Sequence, residues 1–333
     1  MLWERVHSAI CDQCTEKAAA DLVSMRVETE RREAPLETAA LIARFDAEIV
    51  GQVPAKRTLV GAIRRHRTPG AGLSVARILI AGPRGSGKTT LGRIAASLGG
   101  WPSVVADVTG LVDAGEPGMS PEDVVGLLWR NARRDVEACE HGTVFLDGLD
   151  RSAIAARCWE GVQRGMLRLL NDGEVELPPR VLEWRVPATS PISTRDLLFV
   201  AAVSVPPLPA EAFANERALR EALVREGLLP ALVSRFHRVV YITPPDPAVA
   251  HHMLTRPGGI LERAQRLAAA AGATLEVPYE STMALAQLVA ADPDGGWAAE
   301  RLVGRLVSEI LADPAPNRRF VLDGYALNLA ASV

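Results

Sequence analysis

The chain is 333 residues long with a formal net charge of −3, and its 48% hydrophobic content is enough for a packed core. That length corresponds to about two domains at the usual ~100–200 residues each, and the charge balance gives no basis for bulk nucleic-acid binding. No apolar run approaches the roughly 20 residues of a membrane span, and Met1–Ile10 lacks the apolar core of a secretory signal. A cytoplasmic protein is expected, with neither nucleic acid nor membrane as a partner.

Residues 1–33 are charged and helical in pattern, with no strand signal. Cys11-Asp12-Gln13-Cys14 has the spacing of half a zinc site. Zinc takes four ligands, and no second Cys or His cluster lies nearby in sequence. A standalone zinc site is therefore not expected; only an ion shared between two chains would complete one. From Pro35 onward strands alternate with helices. Ala76–Ala81 is a short apolar run feeding Gly82-Pro83-Arg84-Gly85-Ser86-Gly87-Lys88-Thr89, and Thr90–Ser97 continues as helix. Ser103–Val108 reads as a second strand, and Pro121–Glu140 has helical spacing with Pro121 suited to a first turn. Thr143–Leu146, Leu197–Val203 and Arg238–Thr243 complete five apolar runs, each short enough for a strand buried on both faces. This alternation predicts an α/β fold with a five-stranded parallel sheet flanked by helices. Pro244-Pro245-Asp246-Pro247 marks a hinge. Beyond it, 248–271, 281–291 and 297–312 are helical in period, with short strand candidates at 274–277 and 320–322. The expected division is an N-terminal helical segment (1–33), a large nucleotide-binding domain (34–245) and a small, mainly helical lid domain (246–333).

The segment Gly82–Thr89 is a full G-x-x-x-x-G-K-T phosphate loop, lying between a strand and a helix. Its glycines let backbone N–H groups turn inward around phosphate oxygens, and the helix that begins near Gly87 adds its positive end. Lys17, Lys56 and Lys88 are the only lysines among 37 basic residues, so the rare side chain stands where an ammonium reaches β- and γ-phosphates. Thr89 offers a hydroxyl to Mg²⁺, and Asp147, closing the apolar run Thr143–Leu146, completes the protein side of the metal site. ATP and Mg²⁺ are the expected ligands. Cys139 and Cys158 fall in segments read as helix and are expected to be free core thiols.

The ordered set of motifs resembles the ClpX branch of the AAA+ P-loop ATPases over almost the whole chain. Ile49-Val50-Gly51-Gln52 is similar to the family's adenine-side motif. Gly161-Val162-Gln163 with Leu169-Leu170, followed by Pro178-Pro179, resembles its glutamine-leucine helix. Gly227-Leu228-Leu229-Pro230 leading to Ser234-Arg235 resembles its arginine-finger segment, and Ile10–Cys14 resembles the second half of its zinc domain. The resemblance implies that Ile49 and Val50 lie against the adenine. It implies too that Gly82, Pro83, Arg84, Gly85, Ser86, Gly87, Lys88, Thr89 and Thr90 hold the phosphates. Asp147 and Arg235 would be the catalytic residues, with Thr89 and Asp147 on the metal. Arg235 would act on the ATP of a neighbouring subunit, which implies a homo-oligomeric ring, or a ring mixed with an active homologue, working on a protein substrate or partner.

Several positions depart from the family pattern. Family members carry Asp-Glu in the second nucleotide motif, where this chain has Asp147-Gly148. Loss of a general base typically costs ~10²–10⁴ in rate, so weak or conditional hydrolysis is expected. The other reading of Gly148 is a tight strand end with a carboxylate supplied from elsewhere. Asp150 projects to the same side if the strand persists, although the family carries an aspartate there besides its glutamate. Ala298 falls where the lid arginine belongs, leaving Arg301 as a weak substitute. Gly115-Glu116-Pro117-Gly118 replaces the aromatic pore loop, and Val205–Leu229 contains no Ile-Gly-Phe, so docking to a ClpP-like peptidase is not expected. The expected activity is ATP-driven remodelling or unfolding of protein partners. The alternative is a degenerate nucleotide-binding scaffold or regulator that assembles on ATP.

Overall fold

The structure, a computed structural model, describes residues 37–68, 75–112, 118–149, 156–171, 173–177, 191–312 and 319–322. Met1–Glu37 and Thr38–Val333 are separate units. The expectations at Cys11, Cys14, Gly115, Glu116, Pro117, Asp150, Pro178 and Pro179 lie outside the described residues.

The described strands in chain order are β1 (Arg77–Gly82), β2 (Ser103–Asp107), β3 (Thr143–Leu149), β4 (Glu174–Val175), β5 (Ile192–Ser193), β6 (Leu198–Ser204), β7 (Arg238–Tyr241), β8 (Thr274–Glu276) and β9 (Arg319–Val321). The helices are α1 (Thr38–Asp46), α2 (Val53–His66), α3 (Lys88–Leu98), α4 (Pro121–Asn131), α5 (Val136–Glu140), α6 (Ala156–Leu169), α7 (Glu216–Arg225), α8 (Pro230–Arg235), α9 (Pro247–Thr255), α10 (Ile260–Ala270), α11 (Tyr279–Ala291) and α12 (Gly296–Ala312). Five strands form one parallel sheet in the order β2-β3-β6-β1-β7. The expected α/β architecture is therefore present: a five-stranded parallel sheet flanked by helices. Ile78, Leu79 and Ile80 on interior strand β1 are all at most 1% exposed, so a continuous apolar run, rather than an alternating one, is what covering both faces demands. A second apolar cluster, separate from the sheet core, joins Leu254, Leu261, Leu275, Leu285 and Leu306 beyond Pro244-Pro245-Asp246-Pro247.

Two segments expected as single helices are each broken. Pro121–Glu140 divides into α4 and α5 because Arg133 and Arg134 take left-handed φ values of 55° and 67°, after which Asp135 restarts the helix by accepting from the Ala138 N–H. Residues 248–271 divide into α9 and α10 at Pro257-Gly258-Gly259, where Gly258 has φ +71° and Gly259 caps α10. Cys139 is a buried free thiol, and burial pushes it up to about 12.

Helix α3 lies so close to β3 that a Cβ on Gly92 would overlap the ring of Phe145, itself fully buried. Replacing a mid-helix glycine by alanine gains about 0.5–1 kcal/mol in helix preference, whereas overpacking a core costs typically ~1–3 kcal/mol. With a fully buried ring as the obstacle, overpacking wins. Gly92→Ala is expected to lower stability in chemical denaturation; an increase would show that α3 can move off the sheet.

His66, at the end of α2, is 7% exposed, and burial pushes its imidazole from 6.5 down to about 4. Its folded-state value is depressed, so the unfolded chain takes up a proton near pH 6.5 that the folded chain refuses until about 4. Stability present above pH 6.5 is lost progressively as pH falls through that window, by up to about 3 kcal/mol at 1.36 kcal/mol per unit. Denaturation curves at pH 7 and pH 4.5 are expected to differ by less in His66→Leu than in the unmodified chain. Equal differences would remove His66 as the cause.

Candidate nucleotide-binding site

The carboxyl ends of β1, β2 and β3 open into a cleft of about 1000 Å³, the place where open parallel sheets take ligands. Strand β1 ends at Gly82, where a Cβ would stand 2.5 Å from the Ile242 carbonyl and 3.2 Å from Ser86 Oγ. Gly85 (φ +68°) and Gly87 (φ +98°) then turn the chain through the left-handed region into α3. No side chain caps that helix, so the N–H groups of its first turn face the cleft as donors for an anion. Lys88, only 7% exposed, folds back over the loop and donates to the carbonyls of Gly82 (2.9 Å) and Pro83 (2.5 Å). Thr89 Oγ1 donates to Asp147 Oδ1 at 3.1 Å.

These residues fit Mg-ATP. The hydroxyl and the carboxylate are two hard oxygen donors one hydrogen bond apart at the foot of a phosphate cradle. Among the described residues no group of three or more His, Cys, Asp or Glu side chains could hold a metal. A cation there would take its remaining oxygens from phosphate and water, as Mg²⁺ does.

The far end of the cleft is built from the loop between α1 and α2. Ile49 and Val50 line it, and a Cβ on Gly87 would come within 3.0 Å of Ile49 Cδ1. Lys56, 3% exposed, donates to the Ile49 carbonyl and to Asp46, both at 2.5 Å. Gln52, at φ +54°, donates to the Thr243 carbonyl at 2.8 Å. From the C-terminal side Arg256 reaches the carbonyls of Ala47 (2.7 Å) and Glu48 (3.0 Å). The loop before α12 also meets the phosphate loop backbone to backbone. The Gly296 N–H donates to the Gly85 carbonyl at 3.0 Å, and a Cβ on Gly85 would overlap the Asp294 carbonyl.

No family model matches the chain. It is 27% identical over 334 residues to the ATP-dependent Clp protease ATP-binding subunit ClpX of Porphyromonas gingivalis, covering 85% of this chain and 80% of that protein. The ClpX 2 subunit of Wolinella succinogenes is 26% identical over 74% of this chain and 70% of its own length. The Azotobacter vinelandii ClpX subunit is 27% identical over 76% and 69%. Over most of its length the chain is similar to these ClpX ATP-binding subunits.

Most of the residues anticipated for a ClpX-like site come together. Ile49, Val50, Arg84, Gly85, Ser86, Gly87, Lys88, Thr89, Thr90 and Asp147 all line the cleft; Gly82 and Pro83 present their carbonyls to Lys88. Arg235 does not join them. It is exposed at the end of α8, near the buried Arg77, whose guanidinium is held below its ordinary range by burial and by the Arg235 charge. Ala298 is fully buried. Arg301 is bound to Asp292 (2.5 Å) and Asp294 (3.0 Å) and does not itself line the cleft. Lys56 and Arg256 were missed. The rarity of lysine was a signal for the first; for the second, long-range contact leaves no local signal.

Gly148 has φ +77°, and the pairing of β3 with β6 slips between Leu146 and Leu149. The strand thus turns at this position, where a left-handed non-glycine residue costs roughly 1–2 kcal/mol.

Gly85→Ala would combine a left-handed alanine with overlap of the Asp294 carbonyl. The expected result is a melting-temperature loss and a changed nucleotide affinity, read by thermal shift with and without Mg-ATP. An unchanged protein would mean that the 292–296 loop does not rest on the phosphate loop in solution.

Proposed function

We propose that this chain binds Mg-ATP and works as a ClpX-like ring that remodels or unfolds protein partners. In this reading it hydrolyses ATP weakly or conditionally and does not dock on a ClpP-like peptidase. The single observation that carries the reading is the convergence of Lys88, the Thr89–Asp147 pair and the uncapped start of α3 at one end of the cleft. The relatives' description as ATP-binding subunits of a Clp protease supports the same ligand. Bound Mg²⁺ would neutralise charge on the β- and γ-phosphates as the terminal group is transferred. Lys88 adds its ammonium on the same side, and the loop amides orient the phosphate chain.

The exposed position of Arg235, outside its own cleft, favours action on a neighbouring copy. The segment expected to lack peptidase docking is taken up by a short 3₁₀ turn (Ala210–Phe213) and α7. Phe213 stacks on Tyr241 there, and the Tyr241 hydroxyl accepts from the Leu208 N–H at 3.0 Å. A second reading, a scaffold that assembles on ATP with little turnover, is favoured by Gly148 and by the absence of a lid cation at Ala298.

Titration with Mg-ATP, steady-state hydrolysis and light scattering test this together. Loss of the charge-assisted contact in Lys88→Ala is expected to weaken binding about 10–100-fold. ATP is expected to raise the mass of the unmodified protein. A chain that stays monomeric with saturating ATP at high concentration would sink the ring. Turnover near the ~1 s⁻¹ or faster of working enzymes would sink both weak hydrolysis and the scaffold reading.

A further inference from the structure

A Cβ built on Gly148 would lie 3.2 Å from Asp107 Oδ1 and 3.2 Å from Thr109 Cγ2. The volume into which a side chain at 148 would begin is therefore already bordered by a carboxylate from the adjacent strand. Asp107 is the register partner of Asp147 on β2 and β3, and paired positions of neighbouring strands point to one face. Both line the cleft with Lys88 and Thr89. Asp107 Oδ1 accepts from the Thr109 N–H (2.9 Å) and the Thr109 hydroxyl (2.6 Å), which fixes the carboxylate. Its Oδ2 has no hydrogen-bond partner among the described residues, and the side chain is exposed.

The other cleft carboxylates have different commitments. Asp147 Oδ1 accepts from Thr89. Asp294 is paired with Arg301 and Glu300 with Arg263. Glu48 sits beside Ile49 at the far end. Asp107 alone is both next to the Thr89–Asp147 pair and without a cation among the described residues.

We propose that Asp107 is the general base for ATP hydrolysis in this chain, in place of the glutamate missing at position 148. The inference rests on the reading that the cleft binds Mg-ATP. In the step, the water oxygen forms a bond to the γ-phosphorus as the bond from that phosphorus to the β–γ bridging oxygen breaks. The electron pair of the broken bond leaves on ADP, and the water proton passes to Asp107 Oδ2. The exposed carboxyl then returns the proton to solvent, so ATP and water give ADP and phosphate with no other reactant. Thr109 acts as a positioning residue through its two hydrogen bonds to Oδ1.

The test compares the unmodified chain with Asp107→Asn, Asp107→Glu and Thr109→Val. Affinity is read by titration with a fluorescent ATP analogue in Mg²⁺, and hydrolysis by single turnover of labelled ATP. Asp107→Asn is expected to keep its affinity within about threefold and to lose about 10²-fold or more in rate, the usual size of a base's contribution. Asp107→Glu, which keeps a carboxylate, should retain part of the rate, and Thr109→Val should fall between. A rate for Asp107→Asn within twofold of the unmodified protein would overturn the proposal. So would an unmodified protein that binds the analogue yet releases no phosphate, which leaves the Mg-ATP reading intact. Absence of binding in the unmodified protein would remove both.

Discussion

Asp107 pairs with Asp147, Ala81 with Val203 and Gly82 with Ser204 because five apolar strands run parallel in register. In a parallel sheet every carboxyl end lies on one edge, so the phosphate loop after β1 and the acidic ends of β2 and β3 cannot help but meet. Lys88, Thr89, Asp147 and Asp107 come from three places in the sequence, yet none needs a special device to reach the others. The sheet core supplies the rigidity: the β1 residues before Gly82 are buried on both faces, so the loop leaves from a fixed point.

At that edge the geometry is set by backbone, and this explains the glycines. Gly85 lies against Asp294 and Gly296 at the start of α12, while Gly87 faces Ile49 of the loop ahead of α2. One short loop thus touches both remaining walls of the cleft, and a side chain at either position would push a wall away. Two lysines hold the ends. Lys88 satisfies itself on loop carbonyls that a phosphate would replace. Lys56 is fixed on the Ile49 carbonyl and on the half-exposed Asp46. A buried ammonium without such partners would cost several kcal/mol; Lys56 is therefore as much a part of the cleft as the residues that line it.

The sheet was legible in the sequence because its signals are local: apolar runs of strand length, each bounded by glycine, proline or a polar turn. The phosphate loop was legible for the same reason, since a single uninterrupted segment makes it. What escaped depends on contact or on backbone angle. Arg133 and Arg134 break a helix through left-handed φ values that arginine does not announce. Pro257-Gly258-Gly259 did announce its break, but the apolar period on both sides outweighed it. Arg301 has the right helical spacing to serve in the cleft, and only the structure shows Asp292 and Asp294 taking it. Asp107 carried no motif of its own; its meaning comes from the β2–β3 register.

That register also changes the meaning of Gly148. Read along the chain, it stands where the resemblance implies a glutamate. In the fold it is a turn at φ +77°, in a strand whose pairing slips by the next residue, with the Asp107 carboxylate already 3.2 Å from where a side chain would start. A glutamate placed there would take a left-handed backbone costing roughly 1–2 kcal/mol, and its Cβ would stand 3.2 Å from Asp107 Oδ1. Glycine, with no Cβ, meets neither the strain nor the contact. Gly148 and Asp107 are thus compatible with each other in a way that a glutamate and Asp107 are not in this backbone. In this backbone the strand end at Gly148 leaves the space beside it to the Asp107 carboxylate.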